Sequence, residues 1–262
     1  MVGVLTLLAV LPNIGVALTA TAAEWFMTPL PEAFTTHYLA EVWRNPIAAA
    51  SIRNSLFYAS VSTVLDILIG ATIAWLAARR PSMMTNVLEG LAMLPLALPG
   101  LVLAFGYLTC FSGWGAALDP SKNPILLLII AYTVRRLPYL TRSALAGLQQ
   151  IAPSLEEAAE NLGATRWRVV RTVTLPLIAA NLVAGCILTF AFALLEVSDS
   201  LMLAREERYF PITRAILGLL MRPDDGDAIA SAMGLLAMGL LLVSLLAASL
   251  ALGRKMGELF RA

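Results

Sequence analysis

The sequence predicts an all-α integral membrane protein with six transmembrane helices and one polar-faced helical segment outside the bilayer. Three observations lead there. Of 262 residues, 59% are hydrophobic and only 13% charged, where a soluble domain carries about a quarter, and the mean hydropathy is +0.80. Six apolar stretches, at 2–20, 52–77, 87–110, 124–148, 178–203 and 229–252, reach the roughly 20 residues a helix needs to cross a hydrocarbon core. Between the fourth and fifth lies a segment, 149–176, whose helical pattern has a polar face. Residues 1–262 read as a single transmembrane domain.

The first stretch has no basic residues before it and no clear small-residue cleavage site, so it reads as a retained span and not a secretory signal. Residues 21–51, with Trp25, Phe26, Tyr38 and Trp43, mix aromatic and polar character and suit the outer interface. Span two carries Asp66 near its middle. Span three contains Pro95, Pro99 and Gly100, which should interrupt it and free backbone carbonyls. That interruption is either a packing kink or the wall of a cavity, and the sequence weighs the two evenly. Span four holds Arg135 and Arg136 near its middle, with Pro138 expected to bend it just beyond. Span five holds Glu196 and Asp199 toward its outer part, and residues 204–227 form an outer loop before span six.

An ionisable group at such depth costs about 3 kcal/mol even on gentle insertion scales, so these side chains should face the bundle interior and find partners. They form either a structural ion-pair network or part of a translocation route. The candidate pathway residues are Asp66, Pro95, Pro99, Gly100, Arg135, Arg136, Glu196 and Asp199. Successive helical residues point about 100° apart, which suggests that one arginine pairs with Glu196 or Asp199 while the other points elsewhere. Arg142, nearer the helix end, is expected to snorkel.

Charge placement sets the expected orientation. Arg79 and Arg80, then Arg166, Arg168 and Arg171, then Arg254, Lys255 and Arg261 fall on one face, and the positive-inside rule makes that face cytoplasmic, with both termini. The opposite loops carry Glu24, Glu32, Glu41, Asp119, Glu206, Glu207, Asp224, Asp225 and Asp227. Several function classes drop out. His37 is the sole histidine and Cys110 and Cys186 lie far apart in apolar runs, which disfavours metal clusters, a disulfide framework and histidine-based catalysis. No catalytic residues and no metal site are expected. No phosphate-binding loop is present, so any ATP is bound by a partner. Nothing suggests nucleic acid.

Within 149–176, Leu155, Ala158, Ala159 and Leu162 recur at helical spacing and would form one apolar stripe. Ser154 and Glu157 have capping-box spacing, Glu156 and Glu157 sit where the helix dipole favours anions, and Gly163 can supply a left-handed stop. A second short helix from about Thr165 should end before Pro176. An amphipathic helix outside the bilayer needs either a partner protein or a lipid surface. Arg166, Arg168 and Arg171 would suit anionic lipid, but Glu156, Glu157 and Glu160 would be repelled by it, which favours a protein.

The residues Glu157-Ala158-Ala159, then Gly163 after three positions, then Val173 after nine more, then Leu175-Pro176, resemble the EAA signature of binding-protein-dependent ABC importer permeases, with Val173 replacing an isoleucine. The resemblance implies a type I ABC importer permease fold in a bacterial or archaeal cytoplasmic (inner) membrane. It makes 149–176 the cytoplasmic coupling segment that docks on the ATPase. The implied coupling residues are Glu156, Glu157, Ala158, Ala159, Leu162, Gly163, Val173, Leu175 and Pro176. The implied partners are ATP-binding cassette ATPase subunits, which hold the ATP and Mg, a second permease subunit, identical or paired, and an extracytoplasmic solute-binding protein. No cofactor is expected on this chain. Residues 94–100, 132–142, 196–200 and 209–213 resemble one half of the ferric-iron type of permease, with thiamine, phosphonate and polyamine relatives as alternative cargoes. A different class, an ion-gradient-driven secondary carrier acting through Asp66, Glu196 or Asp199, would leave the polar-faced segment without a role.

Overall fold

The computed structural model describes residues 2–25, 27–115, 117–223 and 225–259; Phe26, Asp224 and Arg261 lie outside the described residues, as do the side chains of Arg254 and Lys255. Helix α1 (Val2–Thr21) leads into a short antiparallel ribbon, β1 (Ala22–Glu24) with β2 (Ala33–Phe34), and then α2 (His37–Arg44). Helix α3 (Pro46–Arg79) is the long axis of the fold. Its start is fixed by Asn45, whose side chain accepts the Ile47 and Ala48 N–H groups at 3.0 and 3.2 Å, and by Pro46 at the first helical position, a pairing that satisfies orphan donors and fixes φ. At 34 residues, α3 spans about 50 Å, more than the hydrocarbon core requires.

The third apolar stretch is not one straight helix. It forms α4 (Met83–Met93), a 3₁₀ turn (Leu94–Ala97) and α5 (Gly100–Phe111), with a 108° bend between the two arms. Pro95 and Pro99 cannot donate backbone hydrogen bonds, so the helix breaks where they cluster. Helix α6 (Ile125–Gln149) then runs unbroken through Pro138. Next come α7 (Pro153–Asn161), α8 (Arg166–Val169), a π-helical turn (Val170–Thr174), α9 (Leu175–Leu194) and α10 (Ser198–Leu203). A 3₁₀ turn (Glu207–Tyr209), α11 (Ile212–Leu220) and α12 (Gly226–Leu259) complete the chain.

All six predicted apolar stretches fall on helices. Among the described residues, Pro46–Arg79, Arg166–Leu203 and Gly226–Leu246 are long and apolar enough to cross a membrane, and the bent α4–α5 pair adds a fourth if it forms one span. Helix α6 has 25 residues but carries three arginines, and α1 contributes a shorter apolar run, Leu5–Thr21.

Two local expectations are corrected. Helix α7 starts at Pro153 with Ala152 before it and no side-chain cap, so Ser154 lies inside the first turn and the capping box does not form; proline takes the first position because its missing N–H would have no partner there anyway. The helix that begins at Arg166, capped by Thr165, does not stop before Pro176. The π turn lets it continue into α9, with Pro176 in the first turn of that helix; a wider turn of this kind inserts a residue where the regular ladder would be broken.

Helices α3, α6 and α9 pack against one another as the central bundle, with α1 and α12 paired beside it. Small residues let the backbones approach. A Cβ placed on Gly70 would sit 3.0 Å from Thr141 Oγ1, and one on Gly185 2.9 Å from Ser143 Cβ. At one end α3 holds the segment before α11: Asn54 Nδ2 donates to the Arg208 and Phe210 carbonyls at 2.8 and 3.1 Å, Tyr58 Oη to the Tyr209 carbonyl at 3.2 Å, and the Ile212 N–H to Ser55 Oγ at 2.8 Å.

Overpacking costs about 1–3 kcal/mol in a filled interface. Gly185→Val should therefore lower the thermal unfolding midpoint of the detergent-purified protein, while Gly239→Val, where a Cβ meets nothing within 4 Å, should leave it unchanged.

Candidate functional site

Two constellations stand out, one within the bundle and one at the end that carries α7. The first forms where two helix breaks meet. Helix α9 ends at Leu194, and α10 restarts at Ser198. Glu196 sits in the gap, where its Oε1 accepts the Asp199 N–H at 3.1 Å and so covers an orphan donor of α10. Facing it, Arg135 on α6 makes a two-pronged contact with Asp199, Nε to Oδ2 and Nη2 to Oδ1, both at 2.9 Å. Its Nη2 also donates to the Gly100 carbonyl at 2.8 Å, in the first turn of α5.

Arg136 pairs with Glu196 through a close Nη2–Oε2 contact and donates to the Phe192 carbonyl at 2.9 Å. Arg135 Nε also lies 3.5 Å from Glu196 Oε2. The expectation that one arginine points elsewhere is thus corrected: both reach Glu196, and Arg135 also holds Asp199. Consecutive Cα–Cβ bonds do diverge, but the long flexible stems of arginine bring the two guanidinium groups back together. The four charges are buried and balance to zero. Such a set contributes little net stability relative to an apolar core, yet breaking it strands a charge.

The sequence-predicted residues divide accordingly. Gly100, Arg135, Arg136, Glu196 and Asp199 form one contiguous site. Gly100 is required by close approach, since a Cβ there would lie 2.3 Å from Arg135 Nη1 and 2.6 Å from Ser198 Oγ. Pro95 is buried in the 3₁₀ turn and Pro99 precedes α5; both shape the bend and neither touches the charges. Asp66 is fully buried on α3 but accepts no hydrogen bond. Arg142 is 63% exposed and lies 3.5 Å from Glu89, as a snorkelling side chain should. Two participants were not singled out from sequence: Ser198, packed on Gly100, and Thr213, whose Oγ1 donates to the Glu196 carbonyl in a short contact. Hydroxyl residues in the first turns of helices are too common to be read as partners from sequence.

The second constellation is the 149–176 segment. Helix α7 buries no residue. Leu155 is 51% exposed, Leu162 90% and Trp167 72%, so among the described residues the predicted apolar stripe is left open apart from the half-buried Ala159. Gly163 has φ of +86°, the left-handed conformation that ends a helix and that residues with a Cβ rarely adopt. Glu157 and Glu160 line a cleft with Arg166 and Trp167. Glu156 lines the same cleft on the side of Arg79 and Thr174. Its Oε2 accepts Arg79 Nε at 2.8 Å and its Oε1 accepts Arg79 Nη2 at 3.3 Å and Thr174 Oγ1 at 2.8 Å. Arg79 also reaches the Ile151 carbonyl at 3.4 Å. This carboxylate therefore joins α7 to the end of α3 and to the π turn before α9. Val173, Leu175 and Pro176 lie on that turn and the start of α9, Leu175 and Pro176 exposed.

Comparisons with known proteins fit this geometry. Residues 66–258 match the family described as binding-protein-dependent transport system inner membrane component. The chain is 32% identical over 192 residues to the molybdate/tungstate transport system permease protein of Pyrococcus furiosus, covering 73% of each chain. It is 34% identical to the sulfate transport system permease protein of Escherichia coli, covering 60% of this chain and 59% of that one. It is 33% identical to a putative ferric transport system permease protein of Haemophilus influenzae, over 56% of this chain but 23% of that longer one. Its fold is similar to that of a bacterial ABC transporter involved in alginate import, with TM-score 0.67, 20% identity and coverage of 95% and 92% of the two chains.

Removing one member of a buried ion pair typically costs about 3–5 kcal/mol, whereas an apolar replacement of the pair is near neutral. Asp199→Asn alone should lower the unfolding midpoint sharply, and the double variant Arg135→Met with Asp199→Leu should recover most of the loss in the same thermal assay.

Proposed function

Because this chain belongs to the family of inner membrane components of binding-protein-dependent transport systems, and is a multi-pass ABC importer permease and a transport subunit, we propose a specific division of labour for it. The end of the bundle that carries α7 faces the cytoplasm. There 149–176 docks on an ATP-binding cassette ATPase subunit, which binds the ATP and Mg and carries out hydrolysis. A second permease subunit completes the pathway, and an extracytoplasmic binding protein delivers solute to the opposite end. Both termini lie on the cytoplasmic side.

The observation that carries this reading is the unpartnered apolar stripe of α7 backed by an inward ion pair. Leu155, Ala158 and Leu162 face outward and Ala159 is half-buried, and small alanine side chains permit close approach of a partner surface. Glu157 and Gly163 complete the docking face and its sharp end. Glu156 supports that face from behind, through Arg79 and Thr174, so a push on α7 reaches α3 and α9 directly. Nucleotide binding then shifts the paired bundles between inward-facing and outward-facing states by contacting the two states differently. An ion-gradient carrier would have no use for this surface.

The cargo we propose is a tetrahedral oxyanion of the molybdate, tungstate or sulfate type. Relatives named for those anions match across most of their own length, whereas the ferric relative matches over less than a quarter of its own. Arg135, Arg136, Glu196 and Asp199 neutralise one another, so this cluster neither selects a cation nor retains an anion. Selection then rests on the delivering protein. Ferric iron is the second reading, carried by relatives named for ferric transport that match 56% and 70% of this chain but about a quarter of their own length.

In proteoliposomes containing the chain with its ATPase and binding protein, uptake of molybdate, tungstate or sulfate should require internal ATP, and ferric uptake in place of all three would overturn the cargo assignment. Ala159→Trp should cut ATP-dependent uptake at least about tenfold, equivalent to about 1.4 kcal/mol, with the permease still present in the membrane; unchanged uptake would contradict docking through this face.

A further inference from the structure

Beside α7 two cavities run into each other. The cleft of about 420 Å³ that Glu157, Glu160, Arg166 and Trp167 line also takes in Trp75, Arg79 and Arg80 at the end of α3. A groove of about 270 Å³ continues from it between α3, α6 and α9, walled by Ala71, Thr72, Leu148, Leu175 and Ile178. Trp75, Trp167, Val170 and Thr174 belong to both walls, so the two form one continuous hollow.

Its two parts differ in chemistry. The threonines of the groove are already satisfied within the chain: Thr72 Oγ1 donates to the Leu68 carbonyl at 2.6 Å and Thr174 Oγ1 to Glu156 Oε1 at 2.8 Å. The groove is therefore apolar in what it offers a ligand. In the cleft Arg79 and Glu156 hold each other, which leaves two basic and two acidic groups. Arg80 lies over the Trp75 ring at 5.9 Å and pairs with no carboxylate among the described residues. Arg166 and Glu160 approach only to 3.9 Å, and Glu157 is one turn before Glu160 on the same face of α7.

Depth in the membrane follows from length. Helix α3 exceeds the hydrocarbon core by about 20 Å, so its end, from Trp75 to Arg80, stands where acyl chains meet headgroups, the level at which tryptophan and arginine settle. The groove, beginning one turn earlier at Ala71, points back toward the acyl chains.

We propose that this hollow binds one phospholipid of the leaflet nearest α7, with a zwitterionic headgroup that carries a primary ammonium, as in phosphatidylethanolamine. An acyl chain lies along the groove, Arg80 and Arg166 take the phosphate, and Glu157 and Glu160 take the ammonium through charge-assisted hydrogen bonds. An anionic headgroup would satisfy the arginines but be repelled by the two acids. A quaternary ammonium has the right charge but no N–H to donate to them. The lipid braces α7 against α3 and α9 beside the Arg79–Glu156 pair. This site rests on the membrane placement of the fold and not on what α7 docks against.

The test uses the full chain, purified in detergent and stripped of lipid, titrated with phosphatidylethanolamine, phosphatidylcholine and phosphatidylglycerol of identical acyl chains while native mass spectrometry counts the bound lipid. Phosphatidylethanolamine should fill one site at least about tenfold more tightly than the other two. Arg80→Gln and Glu160→Gln, both at exposed positions, should each remove that preference. Thr72→Phe, also exposed, fills the groove without changing a charge and should weaken the same site about tenfold. Equal binding of the three lipids, a preference for either of the others, a preference that survives both charge variants, or unweakened binding in Thr72→Phe would each overturn the proposal. No ATPase is present in the measurement, so its outcome is independent of the docking reading.

Discussion

Inside a hydrocarbon core a helix that breaks must satisfy the backbone groups it frees, because no solvent is there to do so. This chain breaks two helices, at 94–100 and at 195–197, and the charges of α6 and of the second break meet there, covering groups that the second break frees. Arg135 reaches the Gly100 carbonyl, Arg136 reaches the Phe192 carbonyl, and Glu196 covers the Asp199 N–H. Charge balance and backbone satisfaction are the same set of contacts. That explains why four ionisable residues can occupy an apolar bundle, and why Gly100 cannot carry a side chain. At the bend of 94–100 the structure shows a packing joint, with the Arg135 guanidinium against Gly100.

The long helix α3 connects this level to the two ends of the molecule. At one end Asn54, Ser55 and Tyr58 hold the residues before α11 by hydrogen bonds to their backbone. At the other, Arg79 meets Glu156 on α7, and Glu156 also accepts Thr174 from the π turn. Helices α3 and α9 are thereby tied to one carboxylate. In the account proposed here, that carboxylate converts displacement of the docking helix into displacement of α3 and α9 together, while the charge network keeps the broken arms with them.

Much of this was legible in the sequence, for physical reasons that differ from feature to feature. Helix positions followed from uninterrupted apolar runs, because the bilayer dictates their length. The break at Pro95–Gly100 followed from missing donors, and the stop at Gly163 from its tolerance of positive φ. The pairing of intramembrane arginines with buried acids followed from the cost of leaving either alone, but not that both arginines would meet at Glu196, since backbone direction says little about where a long side chain ends. The start of α7 was misread because Ser154 and Glu157 have capping spacing while Pro153 competes for the first position and wins. The passage through Pro176 depends on a π turn, which no residue pattern announces. Arg79 was visible only as one more positive charge; its partner is 77 residues away, and only the fold brings them together.

The link between Arg79 and Glu156 is the point at which the proposed coupling can be broken without touching either the docking face or the charge network. The direct measurement is ATP-dependent uptake by the charge-reversal variants in the assembled transporter. The account predicts that Arg79→Glu and Glu156→Arg each abolish uptake while the ATPase subunit still binds, and that the two combined restore a substantial part of it. Full uptake in either single variant, or a double variant as inactive as the singles, would contradict it.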